Sequence, residues 1–110
     1  MVVRFSQRRI LSSATIAFLA LMAFSSGAFA ADAAKGEVIA KRWCAACHLV
    51  SPDQTHANSD APSFASVAHK IKSPQALTAF LMDPHPKMPD MSLTREEIAD
   101  LVAYIGTLRR

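Results

Sequence analysis

The chain has 110 residues, of which 51% are apolar and 19% charged. This length allows one small domain and excludes a large multidomain enzyme. The formal net charge of +3 comes entirely from residues 1–30, which contain Arg4, Arg8 and Arg9 and no acidic residue. In residues 31–110 the other nine basic residues balance the nine acidic ones. The charge therefore gives no reason to expect a nucleic-acid partner.

The first 30 residues have the pattern of a secretory signal peptide. A basic segment at 1–9 is followed by an apolar run at 14–24 and by the small-x-small sequence 28–30. The apolar run is too short to cross a bilayer, which takes about 20 residues. We predict cleavage after Ala30, export to the periplasm and a folded domain at 31–110. An uncleaved membrane anchor is the alternative.

The first predicted helix runs from Asp32 to about Cys47. Asp32 is a suitable N-cap, and apolar or small residues recur after it at spacings of three and four. A glycine inside a helix costs stability, so Gly36 favours a close helix crossing at that point. The face expected to turn inward consists of Gly36, Ile39, Ala40 and Trp43.

At the end of this helix, residues 44–48 read C-x-x-C-H, the attachment signature of c-type haem. Two cysteines three positions apart share one helix face, so both thiols reach the two vinyl groups at one porphyrin edge. His48 follows directly and is placed to bind the iron. Two alternatives are a redox dithiol, which is expected in a βαβ context, and a zinc site, which needs two further ligands.

The middle of the chain is predicted as a loop at 49–62, a short helix near 67–70 and a longer helix at 73–82. The loop is polar and rich in turn residues. Ser73-Pro74 is a helix start signal, because proline suits the first helical position after a capping serine. We expect Leu77, Phe80 and Leu81 to face the interior.

A methionine in the following proline-rich segment is the predicted second axial ligand of the iron. A thioether is the usual partner of histidine in electron carriers. Pro89 disfavours helical geometry at Met88, and a stiff, non-helical segment suits a weak ligand. Met91 remains an alternative ligand. The other methionine and histidines that could bind iron are given structural interpretations. Met82 is interpreted as a core residue, and His56, His69 and His85 are interpreted as surface residues.

The last predicted helix is the clearest element of the chain. Thr94 and Glu97 form the sequence pattern of a capping box. Apolar residues then follow at helical spacing, with acidic residues early and basic residues late, as the helix dipole favours. The inward stripe is Ile98, Leu101, Val102, Ile105 and Leu108.

Together these features resemble the small bacterial class I cytochromes c over nearly all of residues 35–108. The shared features are Gly36 eight positions before Cys44, the C-x-x-C-H motif, and the segments 61–64, 87–89 and 101–105. The resemblance implies an all-α fold of three to four short helices around one covalently bound haem. It also implies that the N- and C-terminal helices cross where Gly36 meets Tyr104.

The resemblance further implies the roles of five residues. Cys44 and Cys47 would carry haem c through thioether bonds, and His48 and Met88 would be the axial ligands of its iron. The Pro62 carbonyl would accept a hydrogen bond from the His48 ring. Phe80 departs from the family pattern, because many relatives have a tyrosine at that position.

The function implied is that of a periplasmic one-electron carrier, using Fe(III) and Fe(II), and not of an enzyme. Its partners would be transient redox proteins, with a dehydrogenase or reductase as donor and an oxidase or another protein as acceptor. Contact with a membrane is expected only through a partner or an uncleaved signal segment. The alternative is a haem sensor or a peroxidase-like protein, in which the sixth coordination position is open.

Overall fold

The structure is a computed structural model that describes residues 29–84 and 86–109. This part of the chain contains four α-helices and one π-helical turn and no β-strand, which confirms the all-α fold. None of its helices has the length and apolarity needed to cross a membrane. Most of the predicted signal peptide, at 1–28, lies outside the described residues, as does His85. The elements are α1 (Ala33–Ile39), the π turn (Ala40–Cys44), α2 (Phe64–Lys70), α3 (Pro74–Met82) and α4 (Arg95–Thr107).

Side-chain caps begin α1, α3 and α4 where the sequence predicts them. Asp32 accepts hydrogen bonds from the backbone N–H groups of the first turn of α1, at 2.9 and 3.2 Å. Ser73 caps α3, and Pro74 occupies its first position. Thr94 and Glu97 form the complete capping box of α4. The short helix is longer than predicted, because α2 begins directly after the capping Ser63.

The helix before the haem motif does not continue as an α-helix to Cys47. The Ala45 N–H instead donates to the Ala40 carbonyl, 3.1 Å away and five residues earlier, as in a π-helix. The additional residue in this turn shifts the inward face by one position. Trp43 is therefore 44% exposed, and its predicted place on the inward face is wrong. The buried residues are Gly36, Ala40 and Cys44.

Helices α1 and α4 cross at Gly36, as the resemblance implies. A Cβ atom built on Gly36 would lie 2.8 Å from the Tyr104 Cβ and still closer to the carbonyl oxygen of Asp100. The buried Asp100 carboxylate also accepts a hydrogen bond of 2.7 Å from the Asp32 backbone N–H. The two ends of the domain are therefore joined directly.

The core is built on the inward stripe of α4, with contributions from every other element. Leu77 of α3 is buried and Leu81 half-buried, whereas Phe80 is 39% exposed. The predicted inward position of Phe80 is therefore wrong. The reason is that α3 packs chiefly against α4. The face of α3 that contacts α4 is too narrow to include all three residues predicted to face the interior. The buried apolar residues are Ala40, Cys44, Val50, Phe64, Ala68, Leu77, Ile98, Leu101, Tyr104 and Ile105.

Candidate functional site

The two cysteines of the motif lie at the end of the π turn. Cys44 is buried and Cys47 is exposed, and both are free thiols. The N–H groups of Cys47 and His48 donate to the Cys44 carbonyl at 3.1 and 2.9 Å, which closes a tight turn. Burial, assisted by the neighbouring Cys47, raises the pKa of the Cys44 thiol to about 11. Cys44 is therefore protonated at neutral pH.

The imidazole ring of His48 makes one hydrogen bond and one ring contact. Its Nδ1 lies 2.7 Å from the Pro62 carbonyl oxygen. A carbonyl can only accept, so Nδ1 carries the proton and Nε2 retains a lone pair for a metal. The Phe64 ring is tilted by 53° against the imidazole, with 5.4 Å between the ring centroids. These contacts select one tautomer and restrict the ring plane.

The polar loop at 49–62 satisfies the backbone carbonyls of the motif. Asn58 donates its backbone N–H to the Ala46 carbonyl at 2.8 Å, and the Ser59 hydroxyl donates to the Cys47 carbonyl at 3.1 Å. The side chain of Gln54 bonds to two further carbonyls of the motif. The sequence predicts a loop here but not these contacts, for which its polar composition is the only signal.

Met88 lies on a different segment from the motif. It is half-buried and follows the turn at 86–87, in the non-helical backbone that Pro89 predicts. Met91 is also half-buried, in the irregular segment before α4. The structure thus brings together Cys44, Cys47, His48 and Pro62, and the choice of Met88 as ligand stays a prediction.

The other candidate ligands lie on the surface. Met82, at the end of α3, is 52% exposed, so its interpretation as a core residue is wrong. It is the last residue of its helix and extends past the stripe that contacts α4. His56 and His69 are exposed, as predicted.

The residues present fit haem c. The donor set consists of two free thiols and an imidazole with an available Nε2. Trp43 and Leu49, which flank the motif, are 44% and 37% exposed and offer apolar surface to a porphyrin. Among the described residues, no group of three or more His, Cys, Asp or Glu side chains could hold a bare metal ion, which disfavours the zinc alternative. The same part of the chain lacks the strands of a βαβ unit, which disfavours the dithiol.

Comparison with known proteins agrees with this assignment. A family model described as cytochrome c oxidase, cbb3-type, subunit III, matches residues 31–105. Cytochrome c-552 of Bradyrhizobium diazoefficiens is 54% identical over 92 residues, which cover 83% of this chain and 88% of that protein. No solved structure matches the chain. The chain therefore belongs to the cbb3-type cytochrome c oxidase subunit III family, and it is a small monohaem c-type cytochrome, an electron carrier with covalently bound haem c as its cofactor.

Proposed function

We propose that this cytochrome is a one-electron carrier of the bacterial periplasm, with histidine and methionine as axial ligands and no substrate site of its own. Bound haem c supplies one-electron exchange between Fe(III) and Fe(II). The chain has two cysteines, and both are in the motif, so one haem and one electron are expected for each molecule. The observation that carries the proposal is the contact between His48 Nδ1 and the Pro62 carbonyl, which leaves Nε2 available.

Five residues have defined roles in this proposal. Cys44 and Cys47 would hold the haem through two thioether bonds. His48 presents Nε2, while its hydrogen bond to Pro62 fixes the tautomer and increases the basicity of the ring. Met88 would hold the iron through its thioether sulfur, as the second protein ligand. If His48 and Met88 both bind the iron, no position would remain open for a substrate, and electron exchange would require little rearrangement.

The periplasmic location is supported by the signal-peptide pattern of residues 1–30. The region matched by the family model begins at Ala31, directly after the predicted cleavage point. The partners would be a dehydrogenase or reductase as donor and an oxidase or another protein as acceptor. Such encounters are brief, and they typically use small interfaces.

The test of location and cofactor is the intact mass of the protein from the periplasmic fraction, with its N-terminal sequence. The expected product begins at Ala31 and has the mass of residues 31–110 plus one haem. The bare polypeptide mass, from cells able to attach haem, would contradict the cofactor assignment. A membrane-bound product that retains residues 1–30 would contradict the periplasmic carrier and indicate an anchored subunit.

The test of axial ligation is the addition of carbon monoxide to the reduced protein at neutral pH. Tight methionine ligation predicts no rapid change in the haem spectrum. A rapid and complete shift would show an open sixth position, as in a haem sensor or a peroxidase-like protein.

A further inference from the structure

Gln54 makes an unusual number of hydrogen bonds for a side chain in a loop. It is half-buried and belongs to the loop that joins the motif to α2. Its Oε1 accepts from the Val50 backbone N–H at 2.9 Å. Its Nε2 lies 2.9 Å from each of three carbonyl oxygens, those of Ala45, His48 and His56.

These partners fix the orientation of the Gln54 amide. The Val50 N–H can only donate, so it requires the amide oxygen. The three carbonyls can only accept, so they require the amide nitrogen and its two hydrogens. A reversed amide would place an oxygen against three carbonyl oxygens. Only this orientation turns donors toward the carbonyls, and the two amide hydrogens serve three carbonyl oxygens, so one hydrogen is shared between two of them.

The Gln54 contacts lie on both sides of His48. Ala45 precedes His48 within the motif, whereas Val50 follows it by two residues. The third contact is the carbonyl of His48 itself. One side chain therefore fixes the backbone before, at and after the histidine.

The same contacts connect His48 to the core of the domain. The Val50 carbonyl accepts a hydrogen bond of 2.8 Å from the Tyr104 hydroxyl, and this contact is buried. Val50 is thus bonded to Gln54 through its N–H and to α4 through its carbonyl. A continuous series of hydrogen bonds therefore connects α4 to the motif backbone through Val50 and Gln54.

We propose that Gln54 is a positioning residue that sets the orientation of the His48 ring toward the haem iron. The inference rests on the proposed axial role of His48. Two fixed points define the ring: the His48 backbone, held by Gln54, and Nδ1, held by the Pro62 carbonyl. Without Gln54, the Ala45 and His48 carbonyls and the Val50 N–H lose their side-chain partner, and the ring takes a different orientation.

The unmodified haem-loaded protein gives the first test. Gln75 lies exposed on α3 and serves as an internal reference. In a ¹⁵N-edited NMR experiment, we expect the Gln54 side-chain amide protons to exchange with solvent more slowly than those of Gln75. Equal exchange rates would overturn the proposal.

Variants give the second test, through the hyperfine-shifted haem methyl resonances of the ferric protein at neutral pH. These resonances report the orientation of the axial ligands. Gln54→Leu removes both the donor and the acceptor, whereas Gln54→Glu keeps an acceptor for the Val50 N–H and removes the donors. We expect the pattern of methyl shifts to change in both variants. An unchanged pattern would refute the proposal.

Two controls separate positioning from a general loss of stability. Gln75→Leu makes the same substitution on the exposed face of α3. Ser73→Ala removes the side-chain cap of α3 and weakens the fold away from the motif. Both are expected to keep the parent pattern, and a similar change in Ser73→Ala would overturn the positioning role. If Gln54→Leu yields no haem-loaded protein, Gln54→Glu and the exchange measurement on the parent decide the question.

Labelling the histidines with ¹⁵N distinguishes the failure of this inference from the failure of the proposed ligation. If the His48 ring shows no hyperfine shift in the parent, the axial assignment fails and the inference fails with it. If His48 is hyperfine-shifted and the Gln54 variants keep the parent pattern, only the positioning role is refuted.

Discussion

Gly36 lies directly against the backbone of Asp100, at the point where α1 crosses α4. A Cβ atom at position 36 would overlap the Asp100 carbonyl and lie 2.8 Å from the Tyr104 Cβ. Because the Asp100 carbonyl belongs to the backbone of a helix, it cannot move away as a flexible side chain would. The crossing therefore requires glycine for its lack of a side chain.

We expect Gly36→Ala to destabilise the haem-loaded protein by about 3 kcal/mol, the upper end of typical overpacking costs. Gly106 is the matched control, because a Cβ there would meet nothing within 4 Å. Gly106→Ala is expected to increase stability by about 0.5–1 kcal/mol through helix propensity. Denaturant unfolding measures both effects. Equal effects of the two substitutions would show that the crossing is not tightly packed.

Tyr104 joins α4 to the segment after the motif through its hydroxyl. Tyr104→Phe removes the hydrogen bond to the Val50 carbonyl and leaves a buried acceptor without that partner. We expect a loss of about 1–2 kcal/mol in the free energy of unfolding. The haem spectrum should be retained, because Tyr104 is assigned no contact with the iron. Unchanged stability would mean that this hydrogen bond contributes nothing to the fold.

Tyr104 also predicts a pH dependence at alkaline pH. Burial is the main cause that raises its pKa above the ordinary value of 10.0. Because this pKa is raised in the folded state, the contribution of Tyr104 to stability is complete below pH 10.0. It is lost as the pH rises through the pKa of the folded state. The parent should therefore lose stability more steeply above this pH than Tyr104→Phe. Parallel pH profiles would contradict this role.

The starts of α1, α3 and α4 could be predicted because each depends on a few neighbouring residues. Asp32, Ser73 and Thr94 begin their helices as predicted, since a cap is formed within one turn of the chain. Gly36 also indicates the helix crossing. A glycine in the middle of a helix lowers helix stability, and a close contact with another helix explains why it is present. Local signals of this kind are readable from one sequence.

The π turn and the role of Gln54 could not be predicted in the same way. The turn at 40–44 depends on a bond between residues five apart, and apolar spacing does not distinguish it from an α-helical turn. The predicted inward position of Trp43 is wrong for this reason. Gln54 acts through single contacts to irregular backbone, which leave no periodic pattern in the sequence.

The capping box of α4 predicts a pH dependence at acidic pH. The pKa of Glu97 lies below the ordinary value of 4.5. The main cause is the hydrogen bond that its carboxylate accepts from the Thr94 backbone N–H, and the hydrogen bond with the Thr94 side chain is the second cause. Because this pKa is lowered in the folded state, the contribution of Glu97 to stability is present above pH 4.5. It is lost as the pH falls through the pKa of the folded state. Glu97→Gln should therefore show a smaller loss of stability on acidification than the parent.

Glu96→Gln is the control for this effect. It removes the same charge from the same helical turn, where both carboxylates interact favourably with the helix dipole. It leaves the hydrogen bonds between Thr94 and Glu97 in place. We expect Glu96→Gln to keep the steeper acid dependence of the parent, measured by thermal unfolding at a series of pH values. Identical profiles for the two variants would attribute the dependence to helix charge alone.

Met88 and Met91 form a matched pair for testing the second axial ligand. Both are half-buried and lie three residues apart between α3 and α4. We expect Met88→Ala to keep covalent haem, to lower the reduction potential and to allow carbon monoxide to bind rapidly to the reduced protein. The potential falls because a thioether ligand favours Fe(II) more than its replacements do. Met91→Ala should retain the parent potential and resist carbon monoxide. The opposite result would assign the ligand to Met91, and parent-like behaviour of both variants would exclude both methionines.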